Sequence, residues 1–527
     1  MASEPALPQS REVHPSLSRV VVVIVAATAL IAICVARVAA VSAYYGPTND
    51  ETAHIAGGYD MLHGIPGFDI EHPPLARMLF AWPLRNVPSP KEHDMFSFRR
   101  GGALLASGDY LANLVRVRRG NLVFLLLMLI AVFLWTHREF GDAAALIALA
   151  LVSTLPPILA HASIATTDLA VTAMLPVALL AAMTWIERPS LLRTILLGAV
   201  IGAGLLSKFS FPVFFGLALL FVLPGRLTTA HLRRAAIALC LAGLIVWGGY
   251  RFEFGTLAAA HPRGAEMAHL GADDWIADVP VPAPLFFGGL LDVKLHNDRG
   301  HPAFLFGRWT REGRWYYFPA VLLFGTPIPF LILSGVGVAM LVRTRRWFLA
   351  LLPLAVLIPA MVSRMNLGIR HVMPMYPLLA ILAGYAAVMI RKDWIVALLV
   401  AWQLLTTTLA HPNYLGWTNE LALLHAGPIV LDSNLDWGQD ALPLARTCRA
   451  LGVQRIGLAI ATMADLDRIG MPPRYALDPA TPAHGWVAVS IDPLLNSREE
   501  NPQNFAWLSR ATRTIRVGRA ITLYQLP

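Results

Sequence analysis

Val20 to Tyr45 reads VVVVIVAATALIAICVARVAAVSAYY, and the chain then turns polar at Asn49-Asp50-Glu51-Thr52-Ala53-His54. The apolar run is long enough to cross a bilayer, which takes about 20 such residues. A second acidic stretch follows at Asp69-Ile70-Glu71-His72-Pro73-Pro74. Carboxylates just outside a first apolar run, ahead of many more such runs, place the expected chemistry at a lipid–water boundary. Ala40-Val41-Ser42-Ala43 looks like a signal-cleavage site. A secretory signal core is only about 7–15 residues long, so a retained anchor is expected instead.

Composition points the same way. The 527 residues are 56% hydrophobic and 14% charged, with a mean hydropathy of +0.57. Soluble domains carry about 25% charged residues. The reading is a polytopic α-helical membrane protein with an attached soluble part. The net charge of +9 does not indicate a nucleic-acid partner, because the basic residues are scattered between apolar runs, as the positive-inside bias requires. Cys34 and Cys240 lie in apolar runs and Cys448 stands alone, so neither a disulfide framework nor a zinc-type spacing is present.

Apolar runs fall near 20–44, 120–136, 142–159, 168–186, 191–206, 211–224, 235–250, 318–342, 347–362, 372–390 and 394–410, predicting about eleven transmembrane helices. Alternate connections carry Arg11 and Arg19; His137 and Arg138; Arg188 and Arg193; Arg226, Arg233 and Arg234; Arg343, Arg345 and Arg346; Arg391 and Lys392. That side is expected to be cytoplasmic. The long loops 45–119 and 251–317 and the segment 411–527 then lie outside; Arg116, Arg118 and Arg119 do not overturn this, because long loops translocate regardless of charge. Residues 1–410 form the predicted membrane domain and 411–527 a small extracytoplasmic α/β domain. In the latter, Arg455–Ile460, Trp486–Ile491 and Ala520–Leu526 read as strands and Asp440–Leu451 as a helix.

Three features break the charge pattern. Lys208 and the group Arg364, Arg370 and His371 are basic on the disfavoured side. They either snorkel to headgroups or meet an anionic phosphate. Asp168 opens the fourth span, where a carboxylate can merely cap a helix or mark a functional site.

Several fragments then resemble, in chain order, the glycosyltransferases of family 39: Asp50-Glu51-Thr52-Ala53-His54 with Glu71-His72-Pro73-Pro74; Ala165-Thr166-Thr167-Asp168; Trp315-Tyr316-Tyr317-Phe318-Pro319 with Thr326-Pro327-Ile328-Pro329; Arg370-His371-Val372-Met373-Pro374; and His411-Pro412-Asn413-Tyr414 with Asp432-Ser433-Asn434-Leu435-Asp436-Trp437-Gly438-Gln439-Asp440. The family includes protein O-mannosyltransferases, aminoarabinose transferases and many bacterial enzymes that use a polyprenyl carrier. The resemblance implies a GT-C fold in a bacterial inner membrane, with an active site on the extracytoplasmic side. It implies a polyprenyl-phosphate-linked sugar donor, transferred by single displacement to a protein, lipid or glycan acceptor. It also assigns the general base to Asp50.

The residues suit that chemistry. A phosphate leaving group needs cations more than a proton; Lys208 and Arg370 are placed for this, with His371 and Arg364 behind them. Glu51 is the alternate base and Asp168 a second catalytic carboxylate, unless Asp50 and Glu51 only cap a helix. His54, Glu71, His72 and His301 are expected to bind substrate, and Arg308 is a weaker neighbour of His301. No resident cofactor is required, but a divalent metal ion stays open, because Asp50, Glu51, His54, Asp69, Glu71 and His72 share one loop. Asp432, Asp436 and Gln439 are read as pins of the C-terminal domain. A flippase of lipid-linked sugars and a non-catalytic assembly subunit are the competing classes. A transporter would place ionisable groups near the bilayer midplane and show inverted repeats.

Overall fold

In lipid an apolar segment must pair its own backbone groups, and a helix does so. Each of the eleven apolar runs is helical in the computed structural model, which describes residues 17–65, 69–90, 98–223, 228–260, 278–425 and 427–527. Among the described residues, Leu17–Tyr44, Tyr110–Phe140, Asp168–Glu187, His231–Gly249 and Asp393–Ala410 are long and apolar enough to cross a membrane. Two bent pairs bring the number to seven if each is one span: Asp142–Val152 with Pro156–Ala162, at 65°, and Tyr317–Gly325 with Ile328–Leu341, at 119°. Both bends carry prolines, Pro156 and Pro157 in one and Pro327 and Pro329 in the other; proline has no N–H to continue a helix. The remaining runs form shorter apolar helices, Leu191–Leu205, Phe211–Val222, Trp347–Val362 and Met375–Met389. Arg11 and Arg226, used to orient the chain, lie outside the described residues.

The first span, α1 (Leu17–Tyr44), leads into the first long loop, which is itself folded. Helix α2 (Asn49–His63) starts at a capping box in which the Thr48 N–H donates to Glu51 Oε2 at 2.8 Å, and it ends at Gly64 in the left-handed conformation. Helix α3 (Pro74–Ala81) begins with Pro74 at its first turn, as proline favours. The two helices cross at Gly57 and Gly58: a Cβ on Gly58 would lie 1.9 Å from the carbonyl oxygen of Arg77. The second span starts at Tyr110, earlier than expected, so Arg116 and Arg118 are helical residues. The reason is that Arg118 is a buried anchor: Nε and Nη2 each donate to Glu51 at 2.7 Å, and its remaining donors reach the carbonyls of Ser42, Tyr45 and Gly46.

The second long loop contributes hairpin β1 (Phe254–Thr256) and β2 (Pro280–Pro282), a helix Pro284–Arg299, and hairpin β3 (Ala303–Leu305) and β4 (Arg308–Thr310). The C-terminal segment builds a five-stranded sheet in the order β6-β5-β7-β9-β8. Its strands are β5 (Ile456–Ala459), β6 (Arg474–Ala476), β7 (Gly485–Ser490), β8 (Arg513–Val517) and β9 (Ile521–Leu526). Strand β5 runs parallel to β6 and β7, while β9 is antiparallel to β7 and β8. The helix Ala441–Ala450 lies where its apolar face predicts; β6, β8 and the helix Ile491–Glu500 are additions to the sequence reading.

The tail is stitched to the start of α2. Gly46 N donates to Gln439 O at 2.8 Å and Asn49 N to Trp437 O at 3.0 Å. It also holds the turn before the Met375–Met389 span, where Ile369 N donates to Asn434 Oδ1 at 2.9 Å and Ser433 Oγ to Leu367 O at 2.8 Å.

Candidate active site

These connections bring distant side chains to one cavity of about 720 Å³. Asp50, His54, Asp69, Glu71, His72, Asp168, Lys208, His301, Arg370 and His371 all line it. Apolar residues of the Phe211–Val222 helix, Val213 and Phe214, line it too, as do Phe318, Pro359 and Ala360. A charged end therefore continues into an apolar wall.

The charges meet in pairs. Arg370 Nη1 donates to Asp50 Oδ2 at 2.8 Å, and its guanidinium carbon lies 4.5 Å from the centre of the Trp437 ring. A third of the Asp50 side chain stays exposed. Burial pushes the Asp50 carboxyl up, but Arg370 and then His54 outweigh it and hold the group below the ordinary carboxylate range. Lys208 pairs with Asp168 at the first turn of the Asp168–Glu187 helix. Neither expected phosphate-binding cation is thus free; each has a carboxylate beside it.

A cluster of imidazoles lines the other flank. The His54 and His72 rings meet edge to face, 4.6 Å between centres. Burial keeps His54 neutral, down to about 3. Glu71 Oε2 lies 3.0 Å from His296 Nδ1, and His296 Nε2 lies 3.2 Å from His301 Nδ1. Burial and the neighbouring His296 and Arg370 push His301 down to about 4. Burial, Lys208 and Arg370 push His371 well below the ordinary imidazole range. Neutral imidazoles offer one donor and one acceptor each, which suits hydroxyl groups.

One group fits a metal ion by proximity: a ligand atom from each of His54, Asp69 and His72 lies within 4.8 Å of the others. Asp69 already faces Arg77 Nη2 at 3.4 Å. Burial raises the Asp69 carboxyl, and Arg77 and His72 more than reverse that. Its charge is balanced without a metal, so an ion there would compete with Arg77.

Glu51 does not belong to this cavity, and its expected role as alternate base is corrected. Its side chain has no exposure. Oε1 accepts from Arg118 Nε and from Ala165 N, both at 2.7 Å; Oε2 accepts from Arg118 Nη2 and Thr48 N. The Ala165 bond ties α2 to the turn just before Asp168, which Asn121 also holds through the carbonyls of His161, Ile164 and Thr166. Glu51 thus positions two acidic motifs relative to each other. Arg364 is exposed and donates to Asp298 O at 3.1 Å, and Arg308 is exposed on β4; neither lines the cavity.

Sequence reasoning missed His296, Arg77 and the cavity-facing position of Asp432. A His-rich stretch at His296 and His301 was the available signal for the first. Asp432 carried only the general polarity of its motif.

Residues 108–248 match the family profile described as dolichyl-phosphate-mannose-protein mannosyltransferase. ArnT from Cupriavidus metallidurans, solved bound to undecaprenyl phosphate, aligns at a TM-score of 0.50 and 13% identity, over 94% of this chain and 97% of that one. Residues 108–248 are similar to that family, and the whole chain has the GT-C fold. At that identity the ArnT likeness establishes the fold. AglB from Archaeoglobus fulgidus, an oligosaccharyltransferase solved with an inhibitory peptide and a dolichol-phosphate, aligns at 15% identity and a TM-score of 0.43, over 73% of this chain and 54% of that one. No curated protein sequence matches the chain. In this GT-C fold, the first and second acidic motifs and the Arg370-His371 turn surround one cavity.

Proposed function

We propose that this protein transfers a sugar from a polyprenyl-phosphate carrier to an acceptor at the extracytoplasmic face of a bacterial inner membrane. The observation that carries the reading is the junction of a paired-charge end with an apolar wall inside one cavity. The apolar wall suits an isoprenoid chain, and the charged end suits its phosphate and sugar. The solved ArnT holds undecaprenyl phosphate, so a lipid phosphate is the donor chemistry to test first.

The two ion pairs suggest how binding prepares the reaction. An arriving phosphate competes with Asp168 for Lys208 and with Asp50 for Arg370. Lys presents a point charge and Arg a planar fork, both suited to phosphate oxygens. Once Arg370 turns to phosphate, Asp50 loses the counter-ion that depresses its pKa, and it becomes a better base. The acceptor O–H then gives its proton to Asp50 as the oxygen attacks the anomeric carbon. The carbon–oxygen bond to phosphate breaks, and the carrier phosphate leaves with the electron pair beside Lys208. Direct displacement inverts the anomeric centre. Asp168 stabilises the oxocarbenium-like transition state from across the cavity.

The test uses purified protein with labelled polyprenyl-phosphate sugars and candidate acceptors. Asp50→Asn is expected to lose transfer by at least about 100-fold, the scale of general-base catalysis, while retaining the donor. Lys208→Ala is expected to weaken donor retention. Undiminished transfer by Asp50→Asn removes the proposed base.

A further inference from the structure

The motif Asp432 to Asp440 holds two kinds of carboxylate. Asp436 accepts from Asp492 N at 3.1 Å, and Asp440 from Arg519 N and Ala520 N at 2.8 and 2.9 Å. Those two carboxylates fix the start of the Ile491–Glu500 helix and the turn between β8 and β9. Asp432 does neither. Its φ of 54° is a left-handed conformation that residues with a Cβ rarely adopt. Its Oδ2 is buried without a hydrogen-bond partner. The side chain lines the catalytic cavity.

Asp432 also lines a second, outer cavity of about 530 Å³ built from loop and C-terminal residues, which shares part of its lining with the first. His301 is likewise common to both. On one side the Ile491–Glu500 helix supplies Asp492, Asn496 and Glu499, whose spacing puts them on one helix face. On the other stand Trp309 of β4 and Arg311. Trp309 packs edge to face on Phe304 and keeps part of its ring exposed.

The two cavities differ in kind. The first has apolar walls. The second presents carboxylates, an amide, a guanidinium and one indole, with no wall for an acyl chain. Carboxylate and amide oxygens accept from hydroxyls, and an indole offers a flat apolar face. A sugar ring, polar at its edge and apolar on its face, meets both. Burial, only partly offset by Arg370 and reinforced by Asp50 and Asp492, pushes the Asp432 carboxyl up to about 6.

We propose that the outer cavity is the acceptor subsite, that it takes a carbohydrate, and that Asp432 at the junction holds the acceptor by a hydroxyl next to the attacking one. This rests on the sugar-transfer reading above. Asp432 is a positioning residue; Asp50 remains the base.

The test has two arms, both on the full chain in nanodiscs. In the first, saturation-transfer NMR with cellobiose, maltotriose and chitotriose, and no donor, reads the outer cavity. At least one of the three is expected to receive saturation from the parent protein, and Trp309→Ala and Asn496→Ala are expected to reduce the signal at least about 10-fold. In the second arm, retention of labelled polyprenyl-phosphate sugar by Trp309→Ala is expected to equal that of the parent, which reports an intact fold and donor site. With a bound oligosaccharide as acceptor, Asp432→Asn is expected to raise KM about 10-fold with little change in kcat. A parent that retains the donor but none of the three oligosaccharides overturns the proposal, as does undiminished saturation in Trp309→Ala. Saturation of a lysine-rich peptide instead of the sugars overturns the carbohydrate assignment. A parent that binds an oligosaccharide but no lipid-linked sugar supports the cavity and removes the donor reading.

Discussion

Two adjacent carboxylates, Asp50 and Glu51, have opposite fates because a helix turn of about 100° separates neighbouring side chains. Asp50 points into the cavity toward Arg370; Glu51 points into protein toward Arg118. The two substitutions should therefore fail differently. Glu51→Ala leaves the Arg118 charge buried and unpaired, which costs about 3–5 kcal/mol. It also frees Ala165 N, so the turn that carries Asp168 loosens. The expected outcome is a protein with a markedly lower Tm and poor yield. Asp50→Asn, on a side chain one-third exposed, should keep a Tm near that of the parent. Thermal unfolding in detergent reads both; equal Tm values for Glu51→Ala and the parent would contradict the scaffold role. The acidic pair was legible in the sequence as a site. Which member faced the cavity was not, because Arg118 lies 67 residues away, in a stretch whose charges had no assigned partner.

At the scale of elements, the apolar helices were legible because each run is almost continuously apolar, and lipid leaves the backbone no alternative. The tail was legible only in its buried parts. Strands β5, β7 and β9 carry alternating or continuous apolar residues, whereas β6 is three residues long and β8 is an edge strand bearing Arg513 and Arg516. The buried carboxylates of the tail make its stability depend on pH in an unusual direction. Burial pushes Asp436 up to about 7 and Asp440 up to about 6, against an ordinary aspartate near 3.8. Between those values the folded tail holds more protons than the unfolded chain. Stability is then full below about pH 4 and falls as pH rises through 6 to 7, by at most about 1.4 kcal/mol per pH unit for each group. Asp492, facing Asp436, is raised by burial as well and adds to the same trend. Amide exchange of β5 and β7, corrected for intrinsic rates, should show weaker protection at pH 7.5 than at pH 5. Asp436→Asn should flatten that difference. Protection that grows with pH in the parent would contradict the reading.

The whole molecule supplies a constraint on topology that no single span carries. The tail hydrogen-bonds to residues 46 and 49, through Gln439 O and Trp437 O. The start of α2 and the tail therefore lie on the same side of the membrane, and the chain between Tyr45 and His411 must cross an even number of times. The proposed outward-facing cavity rests on the positive-inside rule: Arg343, Arg345 and Arg346 follow the Ile328–Leu341 helix and none of them lines the cavity, and short basic loops are expected to stay cytoplasmic. Cysteine scanning checks both statements on a parent with Cys34, Cys240 and Cys448 replaced by alanine. Ser107, Ser509 and Thr344 are exposed; the proposed topology puts Ser107 and Ser509 outside and Thr344 inside. Ser107→Cys and Ser509→Cys are expected to react with a membrane-impermeant maleimide in intact cells, and Thr344→Cys only after permeabilisation. Labelling of Ser107→Cys and Ser509→Cys from opposite sides would break the even count. Labelling of both from the cytoplasm would turn the cavity inward, where an extracytoplasmic transferase has no use for it.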